Sequence, residues 1–315
     1  MAEIKEEKIF EYYLDFPSEV RSVVIDQMSP EDRCRFTRCS SLSQKEAKKC
    51  KKFIYGFYFY ERSEKEIVFH VLYNRFTGYT KLFNLDSNEN ICINYTTRGG
   101  RELWKTHLDS STDLMEYACE NAKYMIKEHQ KTIKRLDLHK TGNYDFEITN
   151  LKNLEILRLG YGTENIQQIM SKIGKPLKEL NCTPTITKSM AEELEQIYQV
   201  QDCIDVRSIL INYAQFLRLS ASKITMDKSK LSEEDISDFI KLWQNDKIRK
   251  NFKSCEWKLL NSKLDRNKLI RLLGINHEGR IGPVKIFEIR QNKDNGKEAM
   301  LMIRVFTLIF RVLNQ

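Results

Sequence analysis

The chain has 315 residues, 41% of them hydrophobic and 30% charged, with few glycines (12) and prolines (5) and a net charge of +8. That composition excludes a disordered, collagen-like or low-complexity protein and leaves one large or two ordinary domains without long flexible linkers. The first residues, MAEIKEEKIF, are charged throughout and lack the apolar core of a signal peptide, and the eight cysteines form no C-x-x-C pair. An intracellular, reducing setting is therefore expected, cytoplasmic or nuclear, with the thiols acting as small apolar groups.

Residues 17–50 contain two marked helix starts. Pro17 suits the first turn of a helix, where a missing N–H costs nothing, and Asp15 stands where a cap can be. The next start is Ser29-Pro30-Glu31-Asp32, with Ser29 as N-cap, Pro30 as the first helical residue and Asp32 able to bond back to the cap. A third helix is expected over about 43–52. Val20, Val23, Val24 and Met28 recur at helical spacing on the first helix, and Cys34 and Phe36 follow on the second. Three helices of roughly ten residues cannot close a core alone, so their apolar side must lie on the rest of the chain or on another protein.

The segment FPSEVRSVVIDQMSPEDRCRFTRCSSLS resembles the F-box without a gap. Phe16-Pro17 stands at the opening Leu-Pro, Glu19 at the acidic position, Met28-Ser29-Pro30 at the Leu-Ser-Pro turn, Asp32 at the following acid and Ser40 at the closing serine. Arg33 and Arg38 occupy positions that are usually aliphatic, and the closing tryptophan is absent. The resemblance implies a three-helix module that docks the adaptor subunit of an SCF-type cullin-RING ligase, and through it a cullin. Phe16, Pro17, Glu19, Val20, Val24, Met28 and Pro30 would be the contacts.

After residue 52 the period changes. Segments 53–60, 67–73, 79–85 and 91–95 are short, aromatic and β-branched, separated by charged or Gly/Asn-containing turns, and read as antiparallel strands. A helix is expected over about 112–131, with Leu114, Ala118, Ala122 and Met125 on one face. From there a repeat sets in. Ile133-x-x-Leu136-x-Leu138, Leu154-x-x-Leu157-x-Leu159 and Leu177-x-x-Leu180-x-Cys182 follow one pattern at intervals of 21 and 23 residues. Each predicts a strand that stacks on its neighbour, as in a leucine-rich repeat, with helices between at about 163–174 and 188–199. Ala214-x-x-Leu217-x-Leu219 and Phe252-x-x-Cys255-x-Trp257 echo the pattern.

Ser232-Glu233-Glu234-Asp235 is a capping box opening a helix that turns Ile236, Phe239, Ile240 and Trp243 inward. Asp294-Asn295-Gly296 is a hairpin turn. LSEEDISDFIKLWQ, the strand around Trp257 and IFEIRQNKDNGKEAMLMI together resemble, over roughly 210–305, the F-box-associated domain of the large nematode F-box families. The apolar ending, 299–315, is shorter than a bilayer span and carries Arg304 and Arg311, which predicts a buried strand or helix and no membrane partner.

No P-loop, dinucleotide fingerprint, nucleophile elbow or zinc-protease motif is present, and the histidines lie far from the cysteines in sequence, so neither catalysis nor a cofactor or metal is expected. Residues 241–271 hold ten Lys/Arg against three Asp/Glu. Lys247, Arg249, Lys250 and Lys253 would be the centre of a target or anion surface, and nucleic acid is a lesser alternative partner. The expected fold is α+β to α/β: a three-helix F-box (1–52) packed on an irregular leucine-rich-repeat-like strand–helix solenoid (132–315), with a strand-rich region and connecting helix between (53–131). The expected role is a non-catalytic substrate receptor that binds an unknown target protein. A scaffold of the same fold without ligase coupling is the alternative.

Overall fold

A computed structural model describes residues 15–28, 36, 54–73, 78–87, 89–97, 102–108, 113–228, 231–258, 265–275, 279–281, 284–292, 296–304 and 307–313. The expected second and third helices, with Pro30, lie outside these residues apart from Phe36. Chain contacts divide the protein into two units, Met1–Ile133 and Lys134–Gln315.

The first unit opens with α1 (Ser18–Gln27). An antiparallel meander follows: β1 (Gly56–Ser63), β2 (Glu66–Leu72), β3 (Gly78–Leu85), β4 (Ile91–Thr97) and β5 (Glu102–Leu108), each strand pairing with the next. Strand alternation buries Phe57, Phe59, Ile67, Phe69, Val71 and Phe83 on one face. Helix α2 (Leu114–His129) lies on that face. Lys81 Nζ on β3 donates to Asn121 Oδ1 at 2.8 Å, and Phe83 meets Tyr117 edge-on at 6.2 Å. Asp113 caps the helix by accepting from the N–H groups of Met115 and Glu116. The buried row is Leu114, Ala118, Ala122 and Ile126; Met125, expected inward, is only half-buried because the i, i+4 series runs to Ile126 instead. Strand β5 was not foreseen. Glu102, Lys105 and His107 reach solvent, so it lacks the aromatic and β-branched run that marks its neighbours.

The second unit is a mixed α/β fold on a large mixed sheet. Its parallel part runs in chain order: β6 (Arg135–His139), β7 (Ile156–Leu159), β8 (Glu179–Ile186), β9 (Cys203–Ile209), β10 (Lys223–Lys228) and β11 (Ser254–Lys258). In register across it stand Leu136, Leu157, Leu180, Ile204, Ile224 and Cys255, and two residues on Leu138, Leu159, Cys182, Val206, Met226 and Trp257, all of them buried. The strand starts are tied alike. The Lys134 carbonyl accepts from the N–H groups of Glu155 and Ile156, that of Glu155 from Lys178 and Glu179, and that of Lys178 from Asp202 and Cys203, all at 2.8–3.1 Å. Beyond β11 the sheet turns antiparallel through β15 (Thr307–Val312), β14 (Glu298–Ile303), β13 (Val284–Arg290) and β12 (Gly279–Ile281). The apolar ending is thus two buried strands, and no helix among the described residues is long and apolar enough to cross a membrane.

Helices fill the intervals. These are α3 (Ile166–Met170), α4 (Lys188–Glu193), α5 (Glu195–Tyr198), α6 (Tyr213–Arg218), α7 (Glu233–Gln244) and α8 (Arg266–Leu273). Three corrections belong here. The span 163–174 keeps one short helix, and 188–199 breaks at Leu194, whose backbone leaves the helical region while Tyr198 Oη ties the two turns by donating to the Ala191 carbonyl at 2.6 Å. The echo Ala214–Leu219 falls on α6, not on a strand. Asn212 and Gln215 form a capping box there, each side chain accepting from the other's backbone N–H at 2.9 Å. The true fourth and fifth rungs are Ile204-x-Val206 and Ile224-x-Met226. Helix α7 agrees with its reading: Ser232 and Asp235 close the capping box, and Ile236, Phe239, Ile240 and Trp243 are buried. Arg290 pairs with Glu298 across the expected hairpin, whose Asp294 and Asn295 lie outside the described residues.

Candidate functional site

Two surfaces stand out, one in each unit. The first is α1. Pro17 immediately precedes the helix, one place earlier than expected, and its carbonyl accepts the first helical bond from Arg21 N–H at 3.0 Å. Ile25 is fully buried and packs on Phe36, with Met28 against them. The other apolar side chains face outward: Phe16 is 46% exposed, Val20 41%, Val23 59% and Val24 37%. Val20, Val23 and Val24 form one stripe at i, i+3 and i+4 of α1, Phe16 stands in the bend just before the helix, and half of the large exposed hydrophobic side chains among the described residues lie in this segment. Pro17 and Glu19 are exposed beside it. Of the contacts expected from sequence, five therefore share this short segment, Met28 turns partly inward, and Pro30 lies outside the described residues. Ile25, the residue that orients the helix, was missed; it continues the valine run but falls on the opposite side.

The second surface is the face of the parallel strands away from the helices. Phe216 on α6 and Phe239 on α7 pack on Trp257 at 6.2 and 6.1 Å, which marks the Trp257 side as the helix side. Alternation then sends the neighbouring residues the other way. In register along that polar face stand Asp137, Arg158, Asn181, Asp205, Thr225 and Glu256. Arg135 grips Asp137 through two nitrogens at 2.6–3.2 Å, and Asn181 Nδ2 donates to Asp205 Oδ2 at 3.2 Å. Lys258 pairs with Asp227 at 2.9 Å. Burial pushes the Asp205 carboxyl above its usual range, with Lys258 and Arg158 opposing and Asp227 reinforcing.

The loop after β7 is locked to the loop after β6. Lys140 N–H donates to the Tyr161 carbonyl at 2.6 Å, Gly142 N–H to that of Gly162 at 2.5 Å, and Thr163 Oγ1 to that of Leu138 at 3.1 Å. A Cβ on Gly160 would fall inside the imidazole of His139, and Gly162 takes a positive φ, so both positions need glycine. Tyr161 is thereby held outward, 57% exposed, with the Arg207 guanidinium stacked 4.6 Å from its ring centroid.

The basic cluster expected at 247–253 is corrected at its centre. Arg249 is half-buried, its Nε and Nη2 donate to the Ala221 carbonyl at 3.1 and 2.6 Å, and it lies 5.4 Å from the Phe252 ring. Burial brings its pKa down to about 10, which leaves it charged at neutral pH but tied to the fold. Lys247, Lys250 and Lys253 are exposed. Among the described residues no group of three or more His, Cys, Asp or Glu could hold a metal ion.

The family model described as F-box associated matches residues 193–257. The match covers α5, β9, α6, β10, α7 and all but the last residue of β11. It begins upstream of the resemblance read from sequence and stops before the closing hairpin. No curated protein and no solved structure matches the chain.

Proposed function

We propose that this protein is a substrate receptor of an SCF-type ubiquitin ligase, with α1 and the helices after it docking the adaptor subunit and the second unit holding the target. The observation that carries the reading is the exposed stripe of Val20, Val23 and Val24 on α1, with Phe16 exposed just before it, in a segment whose sequence resembles the opening of an F-box. Such a half-exposed stripe leaves apolar area in water that a partner would remove, at about 25 cal/mol per Å². The F-box associated match at 193–257 supports the same context. On this reading the parallel rungs of the second unit form a leucine-rich-repeat-like solenoid whose polar face meets the target. The chain supplies proximity and not chemistry: the ligase brings a target lysine to a charged ubiquitin held by other subunits.

Co-purification of the intact chain with the SCF adaptor subunit tests this. The wild type should form a stoichiometric complex, and Pro17→Ala combined with Val24→Asp should abolish it. A wild type that shows no adaptor binding at micromolar concentration would leave a scaffold without ligase coupling as the better account.

A further inference from the structure

The polar face is stratified by depth. The Asp137 side chain is 2% exposed and that of Asp227 11%, whereas the guanidiniums of Arg158 and Arg207 stand out at 41% and 46%, with Glu179 beside Arg158 equally open at 43%. Both arginines are under-used. Arg158 reaches Glu179 only at 3.7 Å and Arg207 reaches Asp227 only at 3.7 Å, each too long for a hydrogen bond, and neither side chain makes a hydrogen bond to any described residue. Two planar forks that suit carboxylates are therefore left with donor N–H groups open to a ligand.

Between them lies only β8, with Asn181 beside Arg158 in register, and Tyr161 is fixed on the Arg207 guanidinium. A rigid exposed tyrosine next to arginine is the composition of a binding hot spot. Two strand spacings of about 4.8 Å separate β7 from β9, and Arg207 stands two residues beyond Asp205, which is level with Arg158, so the two positions lie about 12 Å apart and carboxylates about four residues apart on one face of an extended peptide span them. The whole face is close to neutral, since Arg135, Arg158, Arg207, Lys223 and Lys258 are matched by Asp137, Glu179, Asp205, Asp227 and Glu256. A polyanion such as RNA gains little from such a face, whereas a short acidic segment gains two local forks.

We propose that Arg158, Arg207 and Tyr161 form the seat for an acidic segment of the target protein, in which two carboxylates lie about four residues apart on one face. The inference rests on the reading of this face as the target surface.

The test uses the full chain and a fluorescein-labelled peptide of alternating glutamate and leucine, with the lysine–leucine peptide and a single-stranded RNA as comparisons, read by fluorescence anisotropy. The glutamate peptide should bind saturably, and Arg158→Gln, Arg207→Gln and Tyr161→Ala should each weaken it by about five- to tenfold. Arg207→Lys, which keeps the charge, should recover part of the loss, and Lys152→Ala, at an exposed lysine outside both surfaces, should change nothing. Absence of saturable binding, equal binding of the lysine peptide, displacement by the RNA at equal concentration, or unchanged affinity in both arginine variants each overturns the proposal. Adaptor binding measured on the same preparation separates the two readings: adaptor binding without peptide binding removes this seat alone, and peptide binding without adaptor binding keeps the seat and removes the ligase.

Discussion

Helices α1 and α7 carry apolar residues at the same helical spacing, yet they use them in opposite ways. In α7 the stripe Ile236, Phe239, Ile240 and Trp243 is buried, and Phe239 sits among Phe216, Phe252, Trp257 and Phe310 at 5.0–6.5 Å. In α1 the stripe Val20, Val23 and Val24, with Phe16 just before the helix, faces out, while Ile25 is fully buried. A periodic apolar face therefore states that something covers it, not what. For α7 the cover is its own unit. For α1 we assign it to a partner, and the contrast between a face that stabilises the fold and a face held for docking can be measured.

The largest effect belongs to α7. Phe239→Ala should lower stability by about 3–5 kcal/mol, read from the denaturant midpoint of the full chain, because it empties the centre of an aromatic cluster. Arg249→Ala comes next, at about 1–3 kcal/mol, since the Ala221 carbonyl loses both of its charged donors; an effect no larger than that of Lys247→Ala would return Arg249 to the open surface. Ser232→Ala should cost about 1 kcal/mol by opening the capping box that starts α7. The smallest change is expected in α1. Val24→Asp should stay within about 0.5 kcal/mol of wild type, as a substitution on an exposed face does, while removing adaptor binding. A loss there as large as that of Phe239→Ala would mean that the stripe packs inside the protein, and the comparison would break.

The rungs of the second unit were legible in part. Leucine at every third and second position marks Leu136, Leu157 and Leu180, which do stand in register. The next rungs escaped because a buried strand position asks only for an apolar side chain of suitable size, and Ile204, Val206, Ile224 and Met226 serve as well as leucine. The false rung at Ala214–Leu219 matched the letters while Asn212 and Gln215 carried the opposing signal, a helix cap. Capping was the more reliable guide, and at Ser232 it placed α7 correctly.

The candidate surfaces were legible to different degrees. Phe16, Pro17, Glu19, Val20 and Val24 could be named from a resemblance, but their exposure could not, because helical spacing is the same on a buried and an open face. The seat formed by Arg158, Arg207 and Tyr161 was not legible at all. Arg207 stacks on a tyrosine from a different rung, and only the parallel register brings them together. Arg249 shows the converse: a charge run in sequence hid a side chain committed to a backbone carbonyl just before the neighbouring strand.

Hydrogen–deuterium exchange of the full chain, with and without the SCF adaptor subunit, tests the central claim most directly. The account predicts that saturating adaptor slows exchange over residues 16–28 and leaves α7 and the strands of the second unit unchanged. Unaltered exchange over 16–28 in a preparation where adaptor binding is saturated, or protection confined to the second unit, would contradict it.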